Sequence, residues 1–295
     1  MKIEDRKEYI ESMYGAEHTR SGYVKSVNQV VADQDPLVKT CFPKNGMYYI
    51  QLNLNKVVPG SMIKKYSEYN AVLAETLDRI EATELQTTRA DMSFNSDDES
   101  HYEQFKKLNK LLISCIAEAY GVKNCYKVEN LWSNRSLSVA IKSDRLEAEN
   151  YNKDLESNGT TETKNRLELR SKRLTGNVEE EFLVKWFERL DRAVEAFEDV
   201  QEHYNRELIK LWNEDQAKPK KEQEFVSLTA FVLRYKDCIF SRKQLQSLFE
   251  GVGVQNPKNR AKKFKDNHKI EFFSHQDIKI VVQTIKNLTK NYYNS

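Results

Sequence analysis

Residues 178–212 carry an apolar side chain at nearly every third or fourth position: Leu183, Trp186, Phe187, Leu190, Val194, Phe197, Val200, Tyr204, Leu208 and Leu211. Only a helix gathers that spacing into one continuous stripe, and a stripe so long must be covered by another layer. Other segments have a different period. Residues 48–58, YYIQLNLNKVV, set Ile50, Leu52 and Leu54 against Gln51 and Asn53, and residues 87–95 set Thr88, Ala90, Met92 and Phe94 against Arg89, Asp91 and Ser93. A two-residue alternation is a strand with one face turned to a core. Residues 125–131, 136–141, 145–153 and 166–170 also read as strands, and 69–80 and 101–120 as helices, the second stopped by Gly121 in a left-handed cap. Strands interleaved with covering helices predict a two-layer α/β or α+β sheet domain.

The polar stretch NEDQAKPKKEQE, residues 213–224, separates this pattern from a second one and predicts domains 1–216 and 217–295. Charge divides at the same place. The chain holds 47 Lys+Arg against 45 Asp+Glu, but residues 217–295 hold 16 against 7, net +9, leaving a body of net −7. An acidic body with a basic tail is the asymmetry of a protein whose tail meets a polyanion. With 31% charged residues and no apolar run near the roughly 18 residues that span a bilayer, membrane insertion is not expected. The charged start MKIEDRKEYIESMYG does not resemble a secretion signal. Cys41, Cys115, Cys125 and Cys238 form no C-x-x-C pair, which argues against a structural zinc site or disulfide framework and for a reducing cytoplasm. No G-x-x-x-x-G-K-[ST], G-x-S-x-G or H-E-x-x-H element occurs, which disfavours an ATP-dependent helicase and two hydrolase classes.

The polar faces of three expected strands carry chemistry: Asp91 on the first, Glu147, Glu149 and Tyr151 on the second, and Arg166, Glu168 and Arg170 on the third. Side by side in register, these would form one patch of carboxylates, arginines and a phenol. Oxygen ligands of this kind suit Mg²⁺ or Mn²⁺, which could polarise a phosphodiester. The alternative is a sheet face on which opposite charges pair across strands, each pair contributing less than about 1 kcal/mol.

The ordered segments TTRADMSFN (87–95), KSDRLEAENYNKDLE (142–156) and NRLELRSKRL (165–174) resemble the rolling-circle plasmid replication initiators and related conjugative relaxases of the Rep_trans type, and more distantly the filamentous-phage replication initiators. The resemblance spans residues 87–174. It implies a nickase-like antiparallel sheet covered by helices, with Asp91 and Glu168 as metal or active-site acids and Arg89, Arg166 and Arg170 near a scissile phosphate. Tyr151, Asn152, Lys153 and Glu156 match a Tyr-Asp/Asn-Lys-x-x-Glu element. Glu147 and Glu149 depart from the family's pattern, which more often has arginine or hydrophobic residues there, yet they are included in the metal set. None of His18, His101, His203, His268 and His275 forms the His-hydrophobic-His motif of the wider nickase superfamily. The implied function is replication initiation: origin binding and Mg²⁺- or Mn²⁺-dependent nicking by a tyrosine that stays linked to the 5′ phosphate. Double- and single-stranded DNA and a host helicase are the implied partners. Tyr204, on the helix after the last acidic strand, and Tyr151 are the candidate nucleophiles, although Tyr204 also falls on the apolar stripe.

In the tail, 225–235 reads as a helix, Ser241 caps RKQLQSLFEG with Gly251 ending it, and Pro257 starts a helix crowded with Lys258, Arg260, Lys262, Lys263 and Lys265. A β segment over 269–274 and a last helix capped by Ser274, with Ile278, Val281, Val282, Ile285 and Leu288 inward, complete a winged helix-turn-helix pattern. Arg242, Lys243 and the five cations of the third helix are the expected DNA contacts. The competing functions are a binding protein without nicking chemistry, such as an origin-binding or transcription factor, and an interaction protein using 178–212 as a homodimer seam.

Overall fold

A computed structural model describes residues 38–44, 47–52, 67–68, 71, 74–75, 89–96, 102–122, 137–156, 165–172 and 178–293. The strand expected over 125–131 lies outside these residues, as do 53–58 and most of 69–80; within the latter, residues 71 and 74–75 are helical. The chain divides into two compact units, residues 1–85 with 290–295, and residues 86–289. In the first, β1 (Val38–Lys44) and β2 (Met47–Leu52) form an antiparallel hairpin in which Cys41 faces Ile50.

The larger unit is α+β. β3 (Arg89–Ser96) leads to α1 (Tyr102–Ala119), then to β4 (Leu137–Ile141), β5 (Leu146–Tyr151) and β6 (Asn165–Lys172). The four strands lie in the order β3-β6-β5-β4, every neighbouring pair antiparallel. The alternation does what it predicts. Leu137, Val139, Ile141, Leu146, Ala148, Leu167 and Leu169 are buried on one face, where α1 covers the sheet with Leu108, Leu112, Cys115 and Ile116. Gly121, at φ 59°, ends α1 as expected: Val122 N–H reaches back to Ala117 C=O at 2.8 Å, satisfying a carbonyl the helix leaves over.

The long stripe forms two helices, α2 (Val178–Glu195) and α3 (Phe197–Gln216), rather than one. Ala196 interrupts it with ψ 4°, and its N–H bonds Ala193 C=O three residues back. The cause is a side chain entering the hydrogen-bond ladder, because His275 Nε2–H donates to the Val194 carbonyl at 3.1 Å. Both helices contact α1, with Trp186, Leu190, Val194, Phe197, Val200, Tyr204 and Leu208 buried.

The boundary expected at 216/217 falls within this unit, at an ordered turn. Asp215, buried at the end of α3, accepts hydrogen bonds from Glu224 N–H at 2.9 Å, Phe225 N–H at 3.0 Å and Lys218 Nζ at 3.3 Å. Three helices follow, the first two capped by serines. α4 (Leu228–Arg234) is capped by Ser227, whose oxygen accepts from Ala230 N–H. α5 (Arg242–Gly251) is capped by Ser241, and α6 (Pro257–His268) follows. Gly251 belongs to the last turn of α5, where any Cβ would strike Ile209 of α3. The left-handed stop expected there is at Gly253, φ 77°, after which Val254 N–H bonds Phe249 C=O at 2.9 Å.

Two expectations for the tail fail. Residues 270–274 form no strand; Phe273 N–H makes one bond to Phe240 C=O at 2.6 Å, and the neighbouring aromatic pair Phe272 and Phe273 breaks the alternation. In α7 (His275–Tyr293), Ile278, Val282 and Ile285 are buried but Leu288 is exposed, its inward place taken by Thr289. Ser274 caps α7 reciprocally with Asp277, as a capping box does.

One polar group ties α1 to the tail. Lys107, 7% exposed, donates from Nζ to Glu271 C=O at 2.9 Å beside the rings of Phe240 and Phe273. Burial lowers this ammonium to about 8. Since the unfolded lysine holds its proton to a higher pH, the desolvation penalty is complete below pH 8 and shrinks as pH rises toward about 10.4. Lys107→Met is therefore expected to raise Tm at pH 7, by an increment that diminishes by pH 10 in circular-dichroism melts; an unchanged increment across that range contradicts the assignment.

Candidate functional site

Because β6 lies between β3 and β5, the polar face is organised around it. Register sets three rows across the sheet: Asp91–Arg170–Glu147, Ser93–Glu168–Glu149 and Asn95–Arg166–Tyr151, with Arg89 opposite Lys172 at the end of the β3–β6 pair. The patch anticipated from alternation is thus assembled. Lys172, Ser93 and Asn95 belong to it as well; Lys172 was hidden because the strand runs past residue 170, although its alternation continues there.

The arrangement is a network of ion pairs centred on Arg170. Its guanidinium lies 2.7 Å from Glu149, 3.8 Å from Glu147 and 3.8 Å from Asp91, and its Nε donates to Glu168 at 3.1 Å. Around this centre, Arg89 Nε donates to Asp91 at 2.7 Å, Lys172 pairs with Glu147, and Arg166 lies 3.6 Å from Glu168 while donating to Asn95 at 2.8 Å. Asp91, Glu147, Glu149 and Glu168 are balanced in number by Arg89, Arg166, Arg170 and Lys172. This matches the pairing alternative set out from the sequence. Among the described residues, no three His, Cys, Asp or Glu side chains gather into a set that could hold a metal ion. The carboxylates that the family resemblance offers to Mg²⁺ or Mn²⁺ are turned to guanidinium and ammonium groups, so in this arrangement the donor set does not fit such an ion.

Electrostatics follow from the packing. Burial opposes ionisation of Glu168, whose side chain is 10% exposed, but the hydrogen bonds from Tyr151 and Arg170 outweigh it and hold the carboxyl below the ordinary glutamate range. Burial also works against the charge on Arg170, yet the bond to Glu168 and the surrounding acids raise it further above the usual arginine value. Tyr151 donates its hydroxyl to Glu168 at 2.7 Å, and burial together with that bond pushes the phenol above its ordinary value. A phenol so held is a hydrogen-bond donor and a poor nucleophile.

The rest of the Tyr151 element is local structure. Asn152 Oδ1 accepts from Leu155 N–H at 3.0 Å and caps the single turn Lys153–Glu156, whose end residues pair with each other. Tyr204 does not reach the charged face. It is fully buried on α3, its hydroxyl 3.0 Å from Ser114 Oγ of α1 and its ring edge-on to Phe240. Of the two places its position allows, the apolar stripe is the one it occupies.

The cationic residues of the tail form a second group. Lys258, Arg260, Lys262, Lys263 and Lys265 are all exposed on α6, which rests on the fold through Ala261 and through Phe264 against Phe249. Lys265 extends over the ring of Phe272. On α5, Arg242 is exposed and Lys243 pairs with Glu198 of α3 at 2.9 Å. Buried Gln244 fixes α5: its amide spans Phe240 N–H and Cys238 C=O, and its own carbonyl accepts from Asn205 of α3. Sequence inspection missed Gln244, which stands out only as an amide on an apolar face.

No protein-family model, curated protein or solved structure matches the chain. No helix among the described residues is long and apolar enough to cross a membrane.

Glu168→Gln is expected to cost about 1–3 kcal/mol at pH 7, since it removes the charge that Arg170, Arg166 and Tyr151 share. The folded-state value of Glu168 is depressed, so its contribution is full above about pH 4.3 and is lost as pH falls through the folded value. Urea denaturation of both proteins from pH 7 to pH 3 checks this; a deficit that does not narrow on acidification contradicts it.

Proposed function

We propose that this protein binds duplex DNA through α5, the turn at 252–256 and α6, acting as an origin-binding replication protein of the kind its 87–174 segment resembles. The observation that carries the reading is the exposed cationic surface of α6, mounted on an α5 that buries Gln244, Leu245, Leu248 and Phe249 and is hydrogen-bonded to α3. A helix held by a narrow apolar seam presents most of its circumference outward, which suits entry into a major groove. Its cations supply the phosphate attraction that dominates non-specific affinity. The sheet face, with four acids balanced by four cations, adds little long-range attraction for a polyanion.

Replacing Lys262, Lys263 and Lys265 together with glutamine is expected to weaken duplex binding and to reduce the slope of log affinity against log salt by about 2–3, if each lysine neutralises one phosphate. Fluorescence anisotropy over a salt series measures both. Unchanged affinity and slope would assign α6 to another partner.

A second reading, nicking of one DNA strand by a tyrosine with a divalent ion, is favoured by the register that brings Tyr151, Asp91, Glu149 and Glu168 to one patch. It requires Arg170 to leave the carboxylates and Tyr151 to lose its proton. Incubation with single-stranded DNA and Mn²⁺ decides it: a denaturation-resistant protein–DNA adduct that disappears in Tyr151→Phe supports nicking, and binding without any adduct supports the first reading.

A further inference from the structure

We infer that Arg170 is the resident cation of the acidic sheet face, doing through a guanidinium what a divalent metal ion would otherwise do for Asp91, Glu147, Glu149 and Glu168. This goes beyond DNA binding and does not depend on it. Four carboxylates arrive from three adjacent strands, and by register they surround position 170 on the central strand. Asp91 and Glu147 flank it directly in the same row, while Glu149 and Glu168 come from the next row. Arg170 lies within ion-pair distance of all four, through Nε, Nη1 and Nη2 together. A lysine ammonium is a single point charge, whereas the planar guanidinium directs its N–H groups along different edges, which is the property needed to serve carboxylates on three strands.

The placement of the guanidinium matters as much as its charge. Its side chain is 16% exposed, and the side chains of Glu147, Glu149 and Glu168 are at most 20% exposed, so bulk water and salt screen this cluster less than an ordinary surface pair. The outer cations cannot take over this task. Arg89 is engaged with Asp91, Lys172 with Glu147, and Arg166 with Glu168 and Asn95. With Arg170 removed, Glu149 has no other cation among the ion pairs of the described residues, and four carboxylates remain close together with three peripheral cations. Hard oxygen donors in that arrangement favour Mg²⁺ or Mn²⁺. The face is therefore charge-balanced as built without a divalent ion, and Arg170 is the cation that reaches all four of its carboxylates.

The test uses the full-length protein, stripped of metal with a chelating resin and melted with EDTA or with MnCl₂ at matched ionic strength. Wild type is expected to melt at the same temperature in both. Arg170→Met is expected to melt lower in EDTA and to recover by about 5–10 °C at Mn²⁺ concentrations well above its dissociation constant. Arg170→Lys, retaining a charge, should respond to Mn²⁺ less than Arg170→Met. If Arg170→Met does not fold, a variant that adds Glu147→Gln and Glu149→Gln is expected to fold without metal, because the unbalanced charge has been removed. The inference is overturned if wild type itself gains stability from Mn²⁺, if folded Arg170→Met is indifferent to it, or if the charge-reduced variant also fails to fold. Melting is done without DNA and does not probe α6 contacts with a duplex, so failure here leaves duplex binding by α6 untouched, and loss of duplex binding in the lysine variants leaves this inference untouched.

Discussion

The larger unit depends on the burial of α1. From Lys107 to Ala117 every residue of this helix is buried, which is unusual for a segment that also includes Lys110, Asn109 and Ser114. The sheet lies against it on one side, α2 and α3 contact it, and the 270–273 segment approaches Lys107. A helix enclosed in this way transfers the apolar demand of each layer to the next. The sheet can then use its other face for charge, and the tail helices can be held rigidly by α3 without a core of their own. Polar groups within this enclosure are matched rather than excluded: Ser114 meets the Tyr204 hydroxyl and its own Lys110 carbonyl, and Lys107 meets a backbone oxygen.

The same enclosure explains how the charged face works. With α1 on one side, strand period alone decides which side chains point the other way, and Asp91, Glu147, Glu149, Tyr151, Arg166, Glu168 and Arg170 could be assigned to one face from the sequence. What alternation does not encode is neighbour order. The placement of β6 between β3 and β5 puts an arginine, rather than a gap, at the meeting point of the acids. Had β3 and β5 been adjacent, the identical residues would have formed a carboxylate pair awaiting a cation. The chemical character of the patch therefore rests on topology, which the local pattern leaves undetermined.

Elsewhere, legibility follows the range of the interaction. Caps are local, and Ser241, Ser274 and the stop after α1 are readable because their partners lie within a few residues. The break at Ala196 depends on His275, 81 positions beyond the carbonyl it bonds, and no periodicity reveals that. The polar run at 213–224 looks like a linker because Ala217 is its one apolar residue, yet one carboxylate, Asp215, orders it through two backbone N–H groups. Hydrogen bonds accepted by that carboxylate, first from Glu224 N–H, hold it below the usual aspartate range, so acid weakens the turn. Tyr204 illustrates the opposite risk: its place on the apolar stripe was visible, and that placement, rather than its position after an acidic strand, describes its role.

In this account the protein separates two tasks. The sheet face is internally balanced by Arg89, Arg166, Lys172 and a central Arg170, and in the proposed reading the attraction for nucleic acid falls to α6. The most direct test of that separation is the affinity for a short labelled duplex of mixed sequence, measured in EDTA and in Mg²⁺ at equal ionic strength. The account predicts the same dissociation constant in both and a steep dependence on added salt. Binding that requires Mg²⁺, or that ignores salt, would contradict it.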